Sequence, residues 1–152
     1  MGVFANASKD VGSRIIPAYY RFLQHQGDGL KERQTEFLNH LKEFTSEMDP
    51  EGPFFLGKEF TLIDIVLAPW AERLWVFDHF KGELGIPGEG EGGGFEVVWE
   101  RWRRWVGAVE SRRSVRETLS EREYSVPTYA KYARDEAQSE GAKAIRAGRG
   151  IP

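Results

Sequence analysis

Few side chains in this sequence could do chemistry, and their spacing narrows the choice. His25, His40 and His79 are widely separated, and none forms a His-x-x-x-His or Glu-x-x-His pair. No metal-binding helix face is predicted, and all three read as surface residues. No Gly-x-Ser-x-Gly turn occurs and no serine stands in a triad setting, so a hydrolase reading has nothing to rest on. The chain has no cysteine, which excludes a thiolate nucleophile, a disulfide and any cysteine-ligated zinc or iron–sulfur centre. The glycines from Gly82 to Gly94 could suggest a phosphate cradle, but they follow a helical pattern instead of a strand and lack a Gly-Lys-Ser/Thr ending. With Glu89 and Glu91 among them, they read as a flexible acidic loop.

Two groups of cations remain. Six arginines lie between Arg101 and Arg116, but the tryptophans beside them sit at core spacing and Glu100, Glu110 and Glu117 dilute the charge, so a solvated helix face is expected over a nucleic-acid surface. Arg73 stands in the middle of an otherwise apolar run, where an unpaired charge is costly. Two readings stay open for it, a structural ion pair and an anion-binding group.

The elements that must position these residues are helical. Val11, Ile15, Ala18, Tyr19, Phe22 and Leu23 form one apolar face, with Pro17 expected to bend the helix and leave a concavity beside Tyr19 and Tyr20. Leu30, Phe37, Leu41, Phe44 and Met48 mark a second helix with Asp28 as its expected N-cap, ended by Asp49-Pro-Glu-Gly-Pro53. The clearest local signal follows: Thr61 as N-cap, Asp64 at N3 of a capping box, and Phe60 facing Ile65 as a hydrophobic staple. From Leu62 to Phe80 the run is apolar on nearly all sides, which predicts a central helix kinked at Pro69. Phe95, Val98, Trp99, Trp102, Trp105, Val106 and Val109 form a broad aromatic stripe opposite Arg101, Arg103 and Arg104. Two further boxes, Ser114 to Glu117 and Ser120 to Glu123, predict two short helices, the last carrying Tyr124, Tyr129 and Tyr132. Strand alternation and hairpin turns are missing.

The 152 residues, 40% hydrophobic with twenty aromatics, suffice for one buried core. A net charge of −3 gives no general attraction to nucleic acid or an anionic membrane, and neither is an expected partner. The N-terminal residues show no secretory pattern, and Asn6 occupies the place where myristoylation wants Ser or Thr, so a cytoplasmic location is expected. The expected organisation is one helical domain over residues 1–138, including the loop 82–94, followed by a frayed tail over residues 139–152.

The stretch Thr61-Leu-Ile-Asp64-Ile-Val-Leu-Ala-Pro69-Trp70-Ala-Glu72-Arg73-Leu74 resembles the capping-box helix of glutathione S-transferase C-terminal domains, and its Pro-Trp-x-Glu-Arg ending is similar to the omega class and its fungal relatives. Phe55-Leu-Gly-Lys-Glu-Phe60 matches the connector before that helix, and Arg14-Ile-Ile-Pro17-Ala-Tyr-Tyr20 resembles the first helix of fungal members. With Trp99 to Leu119, the similarity runs over most of residues 10–135.

The resemblance implies an all-α bundle of five to six helices around the capped helix, with the first two helices forming a dimer contact. It also implies that glutathione is held and activated by a thioredoxin-like domain, whose strands and catalytic Cys, Ser or Tyr have no counterpart here. No cofactor is then expected in this chain, and glutathione only if such a domain is supplied. The implied function is that of the hydrophobic-substrate pocket wall and a dimer or partner surface, without catalysis by this chain alone. By position, Arg73, Tyr124, Tyr129 and Tyr132 match pocket residues, Tyr124 standing where relatives often carry tryptophan, and Tyr19 joins them beside the expected concavity. Thr61 and Asp64 are structural. Two alternatives are an interaction or scaffold module of the same fold, and a fragment of an active omega-like transferase.

Overall fold

The computed structural model describes residues 3–152. Met1 and Gly2, part of the N-terminal pattern read for lipidation and leader signals, lie outside the described residues. Apolar residues recur every fourth position at Ala7, Val11, Ile15, Tyr19 and Leu23, and all five are buried. A four-residue spacing drifts by about 40° per step around an ideal α-helix. The chain takes up this drift in a wider turn. α1 (Val3–Asp10) passes through a π-helical turn (Val11–Ile15) into α2 (Ile16–Gln24), with the Ile16 N–H donating to the Val11 carbonyl. Pro17 falls in the first turn of α2, directly after the widened turn. The expected bend at Pro17 is thus met by a π turn within a continuous rod, because the i to i−5 pattern makes room for a ring that lacks an N–H.

α3 (Leu30–Ser46) starts from Gly29, whose φ of 90° is the left-handed conformation that glycine adopts freely. Asp28 is therefore not the N-cap expected; instead its carbonyl meets His25 Nε2 at 2.5 Å. α4 (Leu62–Ala71) and α5 (Trp75–Phe80) replace the single helix predicted over this stretch. The interruption lies past Pro69, in tight turns where the Arg73 N–H bonds the Trp70 carbonyl and the Leu74 N–H the Ala71 carbonyl. α6 (Glu96–Glu110) follows a 3-10 turn at Gly93–Phe95. α7 (Arg113–Arg116) and α8 (Arg122–Ala133) are capped at Arg112 and Glu121, one or two residues away from the predicted positions. Ser114 lies inside α7, where Arg113 pairs with Glu117 at 2.6 Å, and Ser120 precedes the cap of α8, so neither serine serves a helix start.

α9 (Glu140–Arg146) lies in the segment expected to fray. Ser139 Oγ accepts the Ala142 N–H at its N-terminus, Ala142 and Ala144 are buried, Gln24 Nε2 donates to the Ala142 carbonyl, and Arg146 pairs with Asp135 at 2.8 Å. Local composition misses this helix because its two buried alanines need α2 opposite them. Among the described residues there are nine α-helical segments and no strand. The excess over the predicted five or six comes from the paired segments α1/α2 and α4/α5 and from α9.

α2 packs on α3, α8 and α9; α3 packs on α6; and α4 packs between α1 and α6. The core is aromatic at its centre, with Phe22 stacked on Phe77 at 4.3 Å and Phe37 tilted on Phe77 at 5.3 Å. Trp99, Trp102 and Trp105 bury one face of α6, as the stripe predicts, but Phe95, in the 3-10 turn before the helix, is exposed and does not join it. Arg101 does not face water as expected: it is only 7% exposed. Its guanidinium donates to the carbonyls of Asp49 (2.7 Å), Pro53 (3.2 Å) and Phe54 (2.8 Å), replacing hydration with hydrogen bonds to an irregular segment that has few of its own. Arg103 holds the Pro87 and Gly88 carbonyls and pairs with Glu96, and Arg104 holds those of Pro50 and Glu51. The glycine-rich loop is accordingly anchored, with Gln34 Nε2 bonding the Leu84 carbonyl at 2.9 Å and Glu96 accepting the N–H groups of Gly90 and Gly92.

Candidate ligand cavity

Asp64 fixes the wall of the cavity from behind. Its side chain is fully buried and accepts from the N–H groups of Phe55 and Thr61 (both 2.9 Å), the Thr61 hydroxyl (3.1 Å) and Trp105 Nε1 (2.8 Å). The capping box is therefore also a junction that ties the connector, the start of α4 and the middle of α6 to one carboxylate. With α4 rotated by these bonds, Ile63 and Leu67 point into the core while Ile65, 52% exposed, points out. The predicted helix is thus not buried on all sides.

The outward face of α4, α5 and the turn between them carries Ile65, Ala68, Pro69, Glu72, Arg73 and Trp75, the first four at i, i+3, i+4 and i+7. Opposite it stand Ser114, Val115, Thr118, Leu119 and Ser120, then Tyr124, Ser125, Thr128, Tyr129 and Tyr132 of α8. Tyr20 and Phe60 close the remaining sides of a cavity of about 740 Å³, within the usual range for small-molecule sites. The serines read as helix caps here present polar groups to this space.

Four of the five residues predicted for a pocket line this cavity, namely Arg73, Tyr124, Tyr129 and Tyr132. Tyr19 does not. It is fully buried, edge-on to Phe37 (5.9 Å), Trp70 (5.3 Å) and Phe77 (4.9 Å), and its hydroxyl lies 3.5 Å from the Arg73 carbonyl. Its place in the apolar stripe is incompatible with a place in the cavity, and Tyr20, one residue and about 100° further round the helix, faces the cavity instead. Tyr20 packs against Tyr132 at 5.3 Å and Trp70 at 5.6 Å. Tyr124 sits at the rim, 74% exposed.

Electrostatics separate the cavity residues. Burial pushes the Tyr20 hydroxyl up to about 12, reinforced by Tyr129 and Tyr132 and opposed by Arg73. Burial likewise raises Tyr129, with Arg73 pulling the other way. These hydroxyls stay protonated at neutral pH and are available to donate a hydrogen bond to a ligand. Glu72 is raised by burial first and by Glu110 second, against the attraction of Arg122. The Arg73 guanidinium lies 5.3 Å from the Trp70 ring and forms no salt bridge among the described residues. The cavity thus offers apolar and aromatic walls, neutral hydroxyl donors and one cation.

The tryptophan–aspartate junction and the carbonyl contacts of Arg101 escaped sequence reasoning, and Tyr20, although placed beside the expected concavity, was not among the predicted pocket residues. For Tyr20 a signal existed, since the stripe that buries Tyr19 turns its neighbour outward. Among the described residues no group of His, Asp and Glu side chains is placed to hold a metal ion, and no helix is long and apolar enough to cross a membrane.

Residues 27–108 match the family model described as glutathione S-transferase, C-terminal domain. No curated protein matches the chain. Among solved structures, the chain is similar to glutathione transferase Omega 3C from Trametes versicolor, with 31% identity and a TM-score of 0.69. The match covers 89% of this chain and 53% of the fungal one, so the chain spans about half the length of that relative. A capped helix fixed by a buried aspartate, an all-α bundle and a family match over more than half of the sequence agree, and the chain belongs to the glutathione S-transferase C-terminal domain family.

Proposed function

We propose that this chain supplies the electrophile-side pocket of an omega-like glutathione transferase, and that it needs a glutathione-binding thioredoxin-like domain for catalysis. The observation that carries the reading is the cavity of about 740 Å³ between α4–α5 and α7–α8. Its walls suit an apolar electrophile, and the exposed side chains of Leu62, Ile65 and Leu119 give an incoming domain an apolar surface to cover. Its reactive inventory is consistent with binding more than with thiol activation: no cysteine or histidine lines it, and its tyrosines Tyr20 and Tyr129 hold their protons. In a complete enzyme such a pocket would accelerate transfer by holding the electrophile next to a thiolate supplied from across the cavity. Pairing of two copies through the α1–α2 rod and α3 belongs to the same reading and would be seen as a dimer mass in light scattering.

The test uses the purified chain. A neutral apolar probe, N-phenyl-1-naphthylamine, is expected to bind saturably with one site per chain, and Ile65→Asp or Leu119→Asp to weaken it about ten-fold by placing a charge in the apolar wall. Conjugation of glutathione to a chloronitrobenzene by the chain alone is expected at the uncatalysed rate. Turnover well above that rate, or the absence of saturable binding, would overturn the reading.

A further inference from the structure

We infer that the cavity is selective for ligands carrying an anionic head group on an apolar aromatic body, with Arg73 as the residue that sets this preference. The inference rests on the pocket reading above and adds the charge class of the ligand. Arg73 is the cavity's single lining cation, and it has no carboxylate partner among the described residues. Its neighbours are rings and hydroxyls: Trp70 lies under it, and its charge reaches Tyr20 and Tyr129. A guanidinium has five N–H donors and no acceptor, and rings and protonated phenols do not neutralise it.

The other charged lining residue, Glu72, is adjacent in sequence, in the turn between α4 and α5, and forms no salt bridge with Arg73 among the described residues. It is attracted by Arg122 and repelled by Glu110, and burial holds its carboxyl above the usual carboxylate range. Arg73 is left as the unneutralised pole of a half-apolar space. A carboxylate or sulfonate placed there would gain a bidentate charge-assisted pair, with the Tyr20 and Tyr129 hydroxyls as further donors, while its aromatic body lies along Ile65 and Trp75. A neutral ligand of the same shape would gain the apolar contacts only.

The experiment compares two probes of matched shape, 2-naphthoate and 2-naphthylmethanol, by quenching of tryptophan fluorescence at pH 7.5; Trp75 lines the cavity and Trp70 borders it. The wild-type chain is expected to bind 2-naphthoate about ten-fold or more tightly than 2-naphthylmethanol, the range for a hydrogen bond to a charged group. Arg73→Gln is expected to abolish the difference by weakening naphthoate alone, and Arg73→Lys to keep part of it. Undiminished binding of 2-naphthylmethanol by Arg73→Gln shows that the variant is folded. Equal affinities in the wild type, or a preference that survives Arg73→Gln, would overturn the inference and leave the pocket reading standing. Binding of neither probe would overturn both.

Discussion

Replacing Asp64 by alanine should be the most damaging single polar substitution in the molecule. The carboxylate is fully buried and accepts from two backbone N–H groups, one hydroxyl and the Trp105 indole, at 2.8 to 3.1 Å. Deleting it strands the buried Phe55 N–H and indole N–H and the partly buried Thr61 N–H. A buried donor without an acceptor costs about 1–3 kcal/mol. Three of them would cost about 3–9 kcal/mol, reduced by local relaxation and by no longer having to bury a charge, so a loss of about 3–5 kcal/mol is expected. Set against a typical domain stability of about 5–15 kcal/mol, that is about a fifth or more of the whole. Asp64→Asn keeps an oxygen for Phe55 and Trp105 but turns an amide NH₂ toward the Thr61 N–H, and should lose about 2 kcal/mol. Urea unfolding followed by far-UV circular dichroism measures both. With a slope of about 2 kcal/mol/M, Asp64→Ala moves the midpoint down by about 2 M. A double-mutant cycle with Trp105→Phe should give a coupling of about 1.5–3 kcal/mol, the value of a hydrogen bond to a charged acceptor. A loss under about 1 kcal/mol for Asp64→Ala, or a coupling near zero, would refute the argument that one carboxylate joins three segments.

Other predictions follow from the same contacts. Arg101→Met removes the donors to three carbonyls between Asp49 and Phe54 and should cost about 2–4 kcal/mol in thermal unfolding, and Gly52→Ala should act in the same direction because a Cβ at Gly52 meets the Arg101 guanidinium at 2.8 Å. Burial raises Glu36, but the hydrogen bonds and charge of Arg21 and then Arg33 outweigh it and hold the carboxyl below its usual range. Because its folded pKa lies below the unfolded one, this pair stabilises the fold above the unfolded glutamate pKa of about 4.3 and ceases to do so as pH falls through the folded value. Glu36→Gln should therefore be less stable than wild type at pH 7 and converge with it as pH falls through the folded value, read from unfolding curves across pH. Removing residues 139–152 should lower the melting temperature by exposing the face of α2 around Gln24, and Ser139→Ala alone should cost about 1 kcal/mol as the loss of a helix cap; an unchanged melting temperature would return this segment to a frayed tail.

The parts of the fold that were legible in the sequence are those decided within a few residues or by a long regular stripe. Thr61 and Asp64 lie three apart and cap the same turn, and Trp99, Trp102 and Trp105 repeat at helical spacing, so both elements could be read without knowing their neighbours. Ser114 and Ser120 show the limit of the same rule: a four-residue pattern of common amino acids recurs by chance, and the chain began its helices at neighbouring residues instead. Arg101 was illegible because its acceptors are main-chain carbonyls, which have no signature in the side-chain sequence. Tyr19 was assigned two incompatible places, core stripe and pocket, and the five-fold recurrence of buried residues from Ala7 to Leu23 decides for the core. The cavity had a legible wall in Arg73 and the three tyrosines of α8, while Tyr20, Trp75 and the α7 hydroxyls depended on how the helices meet.

The arginines of α6 grip the irregular segments of this protein by their carbonyl oxygens, and a carbonyl is present whatever the residue. Such recognition is blind to the identity of the side chains it holds. The segments at Asp49–Phe54 and Pro87–Gly88 are therefore held without regard to most of their side chains, Gly52 excepted because a Cβ there would meet Arg101, whereas each guanidinium is constrained by two or three carbonyls at once. Variation between relatives should accordingly fall on the held loops and spare the helix that holds them, reversing the usual association of surface arginines with freedom to vary.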